Sequence, residues 1–229
     1  MVERTHIIGA GRVGSAIAAR LRERGLAVDA RDPELVLLCV PDRAIPAVAA
    51  EIPLGPWVGH VSGATPLAAL APHERRFSLH PLQTFTRERG AEQLDGAWAA
   101  VTAESGQARR VAVWLARTLG LRPFPLDDDR RGLYHAGAAI ASNYLVTLRR
   151  AAGALLEAAG APPQALDPLM RRTIENDFEL TGPIERGDAE TVARHLAAIR
   201  AERPELEPAY RALAALTALQ AGRILEVPA

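Results

Sequence analysis

Two histidines stand out as residues able to move a proton near neutral pH. The chain has no lysine, because all 27 of its basic residues are arginine. Lysine Schiff bases and lysine general acids are therefore excluded, and acid–base work falls to histidine or a tuned carboxylate. His80 lies in the segment Ser78-Leu79-His80-Pro81-Leu82-Gln83-Thr84-Phe85, after a short strand broken by proline. That is where open α/β sheets bind ligands; the alternative is a histidine that only caps a loop. Ser62-Gly63-Ala64 follows another apolar run and would offer a hydroxyl and amides to an anion at the same edge, or simply turn the chain. His135, Ser142 and Asn143 are spaced seven and eight residues apart, which on an uninterrupted helix puts them within about a quarter turn. Close helix packing is the competing account of that face. His6, His60, His73 and His195 show no metal-ligand spacing, and no metal is expected.

A second chemistry is carried by Gly9-Ala10-Gly11-Arg12-Val13-Gly14. Gly9 suits a tight turn, Gly11 leaves room for a pyrophosphate to touch backbone, and Gly14 permits close helix–strand packing. The following helix offers free N–H groups and a partial positive charge, so Gly9, Gly11, Arg12, Val13 and Gly14 are the expected phosphate contacts. Pro41-Asp42 ends the apolar run 35–40; Asp42 reads as a helix N-cap, with a nicotinamide-ribose contact from the backbone around Pro41 as the alternative. Cys39, inside that run, reads as core.

These residues need a scaffold that alternates strand and helix. Runs at 5–8, 35–40, 57–61, 77–79 and 98–102 read as strands, with 120–126 closing the sheet. Helical stretches fall at 44–51, 66–70 and 107–119. After residue 126 the polar run 127–131 opens a strand-free, alanine-rich stretch with helix starts at Asp188 and Pro204; Leu206, Tyr210, Leu213, Leu216 and Leu219 lie near one face of the last segment. The expected fold is α/β: a Rossmann-like, mostly parallel sheet over residues 1–126, truncated near its second strand, and an all-helical C-terminal domain over 127–229.

The truncation follows from counting. A dinucleotide fold places an acid at the end of its second strand, roughly 20 residues past the glycines, to hold the adenosine ribose. Asp32 is at that distance, yet the run 35–40 begins three residues later. Parallel neighbours need a crossover of about a dozen residues or more. Either the unit of second strand, helix and third strand is deleted, or 26–28 forms an antiparallel edge paired with 35–40. In both cases the adenosine pocket is reduced.

Net charge is zero at a pI near 7.0, which gives no basic footprint for nucleic acid or an anionic membrane. No apolar run reaches the roughly 20 residues that span a bilayer, and a strand beginning at the N-terminus leaves no room for a signal peptide. The single Cys39 excludes an intrachain disulfide. A cytoplasmic protein is expected.

The segments GAGRVG, LLCVPD, VSGA, SLHPLQTF, YHAGAAIASNYLVTL and LTGPIERGD resemble Rossmann-like proteins carrying a C-terminal helical domain of unknown function, within the 6-phosphogluconate dehydrogenase-like superfamily. Pyrroline-5-carboxylate reductases and prephenate dehydrogenases are relatives. The resemblance covers essentially the whole chain. It implies an NAD(P)-dependent oxidoreductase (NADP or NAD), a homodimer, and a small, anionic substrate in the cleft between domains. It gives His80 or His135 the acid–base task, and Ser62, Gln83 and Asn143 the substrate. The superfamily's helix lysine is Ala139 here, so a lysine-dependent mechanism is absent. The competing reading is a non-catalytic, dimeric binding or regulatory protein with a truncated nucleotide site.

Overall fold

Continuous apolar runs, able to be buried on both faces, become the central strands of a seven-stranded sheet. In the computed structural model, which describes residues 2–223, these are β1 (Arg4–Ile8), β2 (Ala27–Val28), β3 (Leu35–Leu38), β4 (Trp57–His60), β5 (Arg76–Pro81), β6 (Trp98–Thr102) and β7 (Arg122–Pro125). Their order is β2-β1-β3-β4-β5-β6-β7, with every pair parallel except β5–β6. The mostly parallel Rossmann-like sheet expected from the sequence is present.

The helices α1 (Arg12–Glu23), α2 (Ile45–Glu51) and α3 (Gly106–Thr118) link the strands. Alternation along the strands sorts two cores. Ile17, Leu21, Leu35, Leu37, Phe77, Leu79, Ala112 and Leu115 form the core beneath α1 and α3, while Leu38, Ile45, Ala49, Val58 and Leu70 form the other beneath α2. Arg20, 5% exposed, ties α1 to the chain beyond β5 through Asp95 and the carbonyls of Ala91 and Leu119. The expected helix at 66–70 is a 3₁₀ turn, Leu67–Leu70.

The second strand is reduced to two residues, so no full-length strand follows α1, yet it is shortened rather than deleted. The antiparallel alternative is wrong: β2 runs parallel to β1 and does not pair with β3. The dozen-residue rule does not bind here because Val28 and Leu35 both align with Thr5, on opposite edges of β1. The link need not return along a strand; it only crosses β1, roughly 10 Å for two strand spacings, within the reach of an extended six-residue segment at about 3.3 Å per residue. That link is pinned by Ala30 N–H on the Thr5 carbonyl and Arg4 Nε on the Asp32 carbonyl. The acid that ends β2 is Asp29, not Asp32. Asp29, at φ 63°, is engaged by Arg22 and lies 3.4 Å from His6 Nδ1.

The chain divides into two units, Met1–Ser142 and Asn143–Ala229. The first holds the sheet and α4 (Arg131–Ala139). The second is helical: α5 (Leu145–Ala158), α6 (Leu166–Glu175), the short α7 (Pro183–Arg186), α8 (Ala189–Glu202) and α9 (Glu207–Gln220). Asp188 caps α8 as expected, accepting from Thr191 N–H at 3.0 Å. In α9 the expected apolar stripe is not the buried one. The helix buries Ala214 and Ala218, whereas Leu216 and Leu219 are 58% and 73% exposed. Among the described residues no helix is long and apolar enough to cross a membrane.

Candidate functional site

The carboxyl ends of β1, β3, β4 and β5 lie along one edge of the sheet, so the loops following them share it. The glycine loop comes first. Gly9, at φ 114°, lies against the Cys39 backbone, where a Cβ would strike the Cys39 carbonyl. Gly14 abuts the Gly9 carbonyl in the same way, while around Gly11 nothing lies within 4 Å of an added Cβ. The N-terminus of α1 has no side-chain cap and no acidic residue in its first turn, leaving its amides and dipole to an anion. Arg12 is exposed and Val13 half-buried beside this opening. A cavity of about 290 Å³ adjoins it, lined by Gly11, Arg12, Ser15, Thr86, Arg87 and Arg89. Arg87 and Arg89 are basic partners that sequence reading missed, because a loop closing on α1 has no periodic signal.

The Cys39 thiol is pushed up to about 12 by burial, in keeping with a core role. Pro41 precedes a 3₁₀ turn, Asp42–Ala44, rather than an α-helix, and Asp42 is not an N-cap. Its carboxylate instead accepts from the Ser62 hydroxyl at 2.8 Å. The Ser62 oxygen also accepts from Thr65 N–H and Ala64 N–H, and lies 2.9 Å from the Thr65 hydroxyl. Ser62 therefore fixes the 62–65 turn. Gln83 is exposed, and its side-chain oxygen accepts from Thr84 N–H.

His80, Ser78 and His60 share the α2 face of the sheet, set there by strand alternation and by pairing of His60 with Ser78. His80 Nδ1 is 2.6 Å from the Tyr134 hydroxyl of α4, and the His80 and His135 rings are 6.2 Å apart. Both histidines meet at Gly63: a Cβ there would lie 2.8 Å from His135 Cδ2 and 3.0 Å from His80 Nε2. The two residues assigned acid–base chemistry from sequence are thus brought together. Burial pulls the His80 pKa down to about 4, with help from His135 and Arg131 against the opposing effect of Asp42. Burial holds the Tyr134 hydroxyl protonated, at about 12. Near neutral pH His80 is an uncharged imidazole. Its Nε2 is a donor in the tautomer that accepts from Tyr134 and an acceptor in the other, so one ring can give or take a proton.

Arg131 anchors this arrangement. It is 2% exposed, with Nε donating to Asp128 at 2.6 Å and Nη1 to the Ser62 carbonyl at 3.3 Å. Asp128 in turn accepts Leu67 N–H. In sequence the run 127–131 looks like a solvated boundary; only the Asp–Arg spacing of three hinted at a pair. Asn143 belongs to the second unit, is exposed, and sits in a π-helical stretch, Ile140–Tyr144. That stretch departs from the α-helical period on which the expected relation between His135, Ser142 and Asn143 is counted.

His60 is fully buried, accepts from Ser62 N–H through Nδ1, and leaves Nε2 without a partner. Its pKa falls to about 4, first through burial and then through Arg131. The unfolded chain therefore binds this proton between about pH 6.5 and 4 while the folded chain does not. Stability is lost as pH falls through that window, by about 3 kcal/mol for the 2.5-unit gap, with no further loss from this group below it. Urea melts across that range should show the slope, and His60→Phe should reduce it, leaving the share that His80 contributes by its own shift; an unchanged slope in the variant would contradict the assignment.

Among proteins with curated descriptions, none matches the chain. Solved structures match over nearly its full length. BF3122 of Bacteroides fragilis, named for an inferred NADP oxidoreductase activity, is 20% identical with a TM-score of 0.76, covering 94% of this chain and 97% of its own. TM1727 of Thermotoga maritima is 22% identical with a TM-score of 0.75, covering 96% and 100%. A reductive aminase of Aspergillus terreus, solved with NADPH, is 18% identical with a TM-score of 0.64, covering 97% and 95%. At these identities the likeness shows the fold. A family profile matches residues 97–217, just over half of the chain, and on that match the chain belongs to the family described as a domain of unknown function, DUF2520.

Proposed function

We infer that the protein is an NAD(P)-dependent oxidoreductase of the 6-phosphogluconate dehydrogenase-like superfamily, acting on a small, anionic metabolite. The observation that carries this reading is the meeting of His80 and His135 at Gly63, on the sheet edge that also bears an uncapped, acid-free helix N-terminus behind a glycine turn. Gly9, Gly11, Gly14 and the first amides of α1 fit a pyrophosphate, and Arg12, Arg87 and Arg89 supply positive charge beside it. A bound nicotinamide would supply or accept the hydride. His80, neutral and oriented by Tyr134, holds the reacting oxygen and gives or takes its proton through Nε2. Ser62 acts as a positioning residue for Gly63 and, with Gln83, is assigned to the substrate.

The two-residue β2 favours a second reading, a binding protein for a smaller nucleotide, because little sheet remains beneath an adenosine. Thermal-shift titration with NADPH, NADH and mononucleotides separates the two. Stabilisation by a dinucleotide is expected; a response to mononucleotide or phosphate alone would favour the second reading.

The protein is also assigned as a homodimer formed through its helical unit. Leu169, Ile174, Phe178, Leu216 and Leu219 are each more than half exposed, apolar side chains that a second copy would cover. Light scattering should give twice the chain mass of 24.5 kDa, and a monomer would refute the dimer.

A further inference from the structure

At the opposite end of the sheet, where β1 and β2 begin, a groove of about 1490 Å³ opens beside α3. Arg4, Arg24, Arg109, Arg110 and Arg117 line it, with Glu3 as the single lining carboxylate among the described residues. Arg4 is committed to Glu34 and the Asp32 carbonyl. The guanidinium groups of the other four make no hydrogen bond or ion pair with any described residue. Arg31, Arg43, Arg150 and Arg171 are likewise unpaired with any described residue, so what sets Arg24, Arg109, Arg110 and Arg117 apart is that they line one groove.

The pattern is built into α3. Arg110, Val113, Trp114 and Arg117 recur at helical spacing and present one stripe to the groove. Arg117 and Arg24 follow the ordinary preference of cations for a helix C-terminus. Arg109 and Arg110 do the reverse: they stand near the positive end of α3, with no acidic residue in its first turn. Unanswered cations at that end are unfavourable until an anion reaches them. The half-buried Trp114 adds a flat apolar wall between the arginines, while the face of Trp57, by contrast, is already covered by Arg75.

We propose that this groove binds a polyphosphate-bearing small molecule, with its phosphates among Arg24, Arg109, Arg110 and Arg117 and any flat base against Trp114. The site is distinct from the glycine loop, since it lies at the amino ends of the strands, and it stands whether or not the protein is an oxidoreductase. Arginine suits the task because its planar fork pairs phosphate oxygens bidentately.

Calorimetric titration at low salt with inorganic tripolyphosphate and with ATP tests the proposal. Arg12→Ala, which alters the glycine loop, should retain tripolyphosphate binding; Arg110→Ala with Arg117→Ala should weaken it at least about tenfold, for two lost charge-assisted contacts. Should that pair fold poorly, Arg24→Ala with Arg109→Ala gives the same reading at exposed positions. ATP binding tighter than tripolyphosphate identifies a nucleotide, and equal affinities identify an inorganic polyphosphate; both support the site. Unchanged binding in the groove variants, loss of all binding in Arg12→Ala, no binding in the wild type, or binding of a nucleic-acid duplex without tripolyphosphate would each overturn it.

Discussion

Gly14→Ala should lower the folding stability by about 2–4 kcal/mol and abolish dinucleotide binding, the cost of overpacking combined with backbone displacement. An added Cβ collides with the Gly9 carbonyl oxygen and stands 3.0 Å from Cys39 Cβ. Neither neighbour has room to retreat. Gly9 is itself seated on the Cys39 backbone at φ 114°, and Cys39 N–H is bonded to the Ile8 carbonyl at 2.7 Å. The strain therefore passes to the β1–β3 junction that shapes the loop. Gly11→Ala is the control, because nothing lies within 4 Å of its added methyl. Urea melts should show a lowered midpoint for Gly14→Ala at an unchanged slope, and little change for Gly11→Ala. Equal stability in both variants would mean that the close approach is readily relaxed.

The second large effect is on turnover. His80→Ala should reduce it by roughly 10²–10⁴-fold, the range for a positioned acid–base group, with cofactor affinity nearly unchanged. Its imidazole is held by Tyr134, whose ring packs edge-on against Phe124, itself against Trp98. Tyr134→Phe should give a smaller loss. The pH profile supplies an independent check. Because His80 is depressed to about 4, a rate that needs the neutral ring stays level as pH falls through 6.5 and drops only near 4. Arg131→Met removes a cation that lowers both His80 and His60, so the acid limb should move upward. Full turnover by His80→Ala would transfer the task to His135.

The parts visible in the sequence were those with a local signature. The glycine loop, the apolar strands, the Asp188 cap and the His80 segment follow from spacing and composition alone. The shortening after α1 follows from arithmetic, but not its geometry: a two-residue strand has no pattern, and its parallel pairing depends on both Val28 and Leu35 aligning with Thr5. The supports of the site were invisible for another reason. Arg131 hides in a charged run, Tyr134 and Asp42 are polar residues whose partners lie 54 and 20 positions away, and Arg87 and Arg89 act from a loop. The π-helical stretch carries no signature in the sequence, and α9 buries its alanines, leaving Leu216 and Leu219 outside.

On the proposed function, the carboxyl edge of the sheet would seat a nicotinamide within reach of a substrate held by His80. Incubation with NADPH or NADH deuterated at the transferable position, against a panel of small oxo- and imino-acids, followed by mass spectrometry, tests it most directly. Deuterium is expected in a reduced product with the wild type and nearly absent with His80→Ala, although that variant still binds the cofactor. A wild-type protein that binds only mononucleotides or phosphate and transfers no label would contradict it.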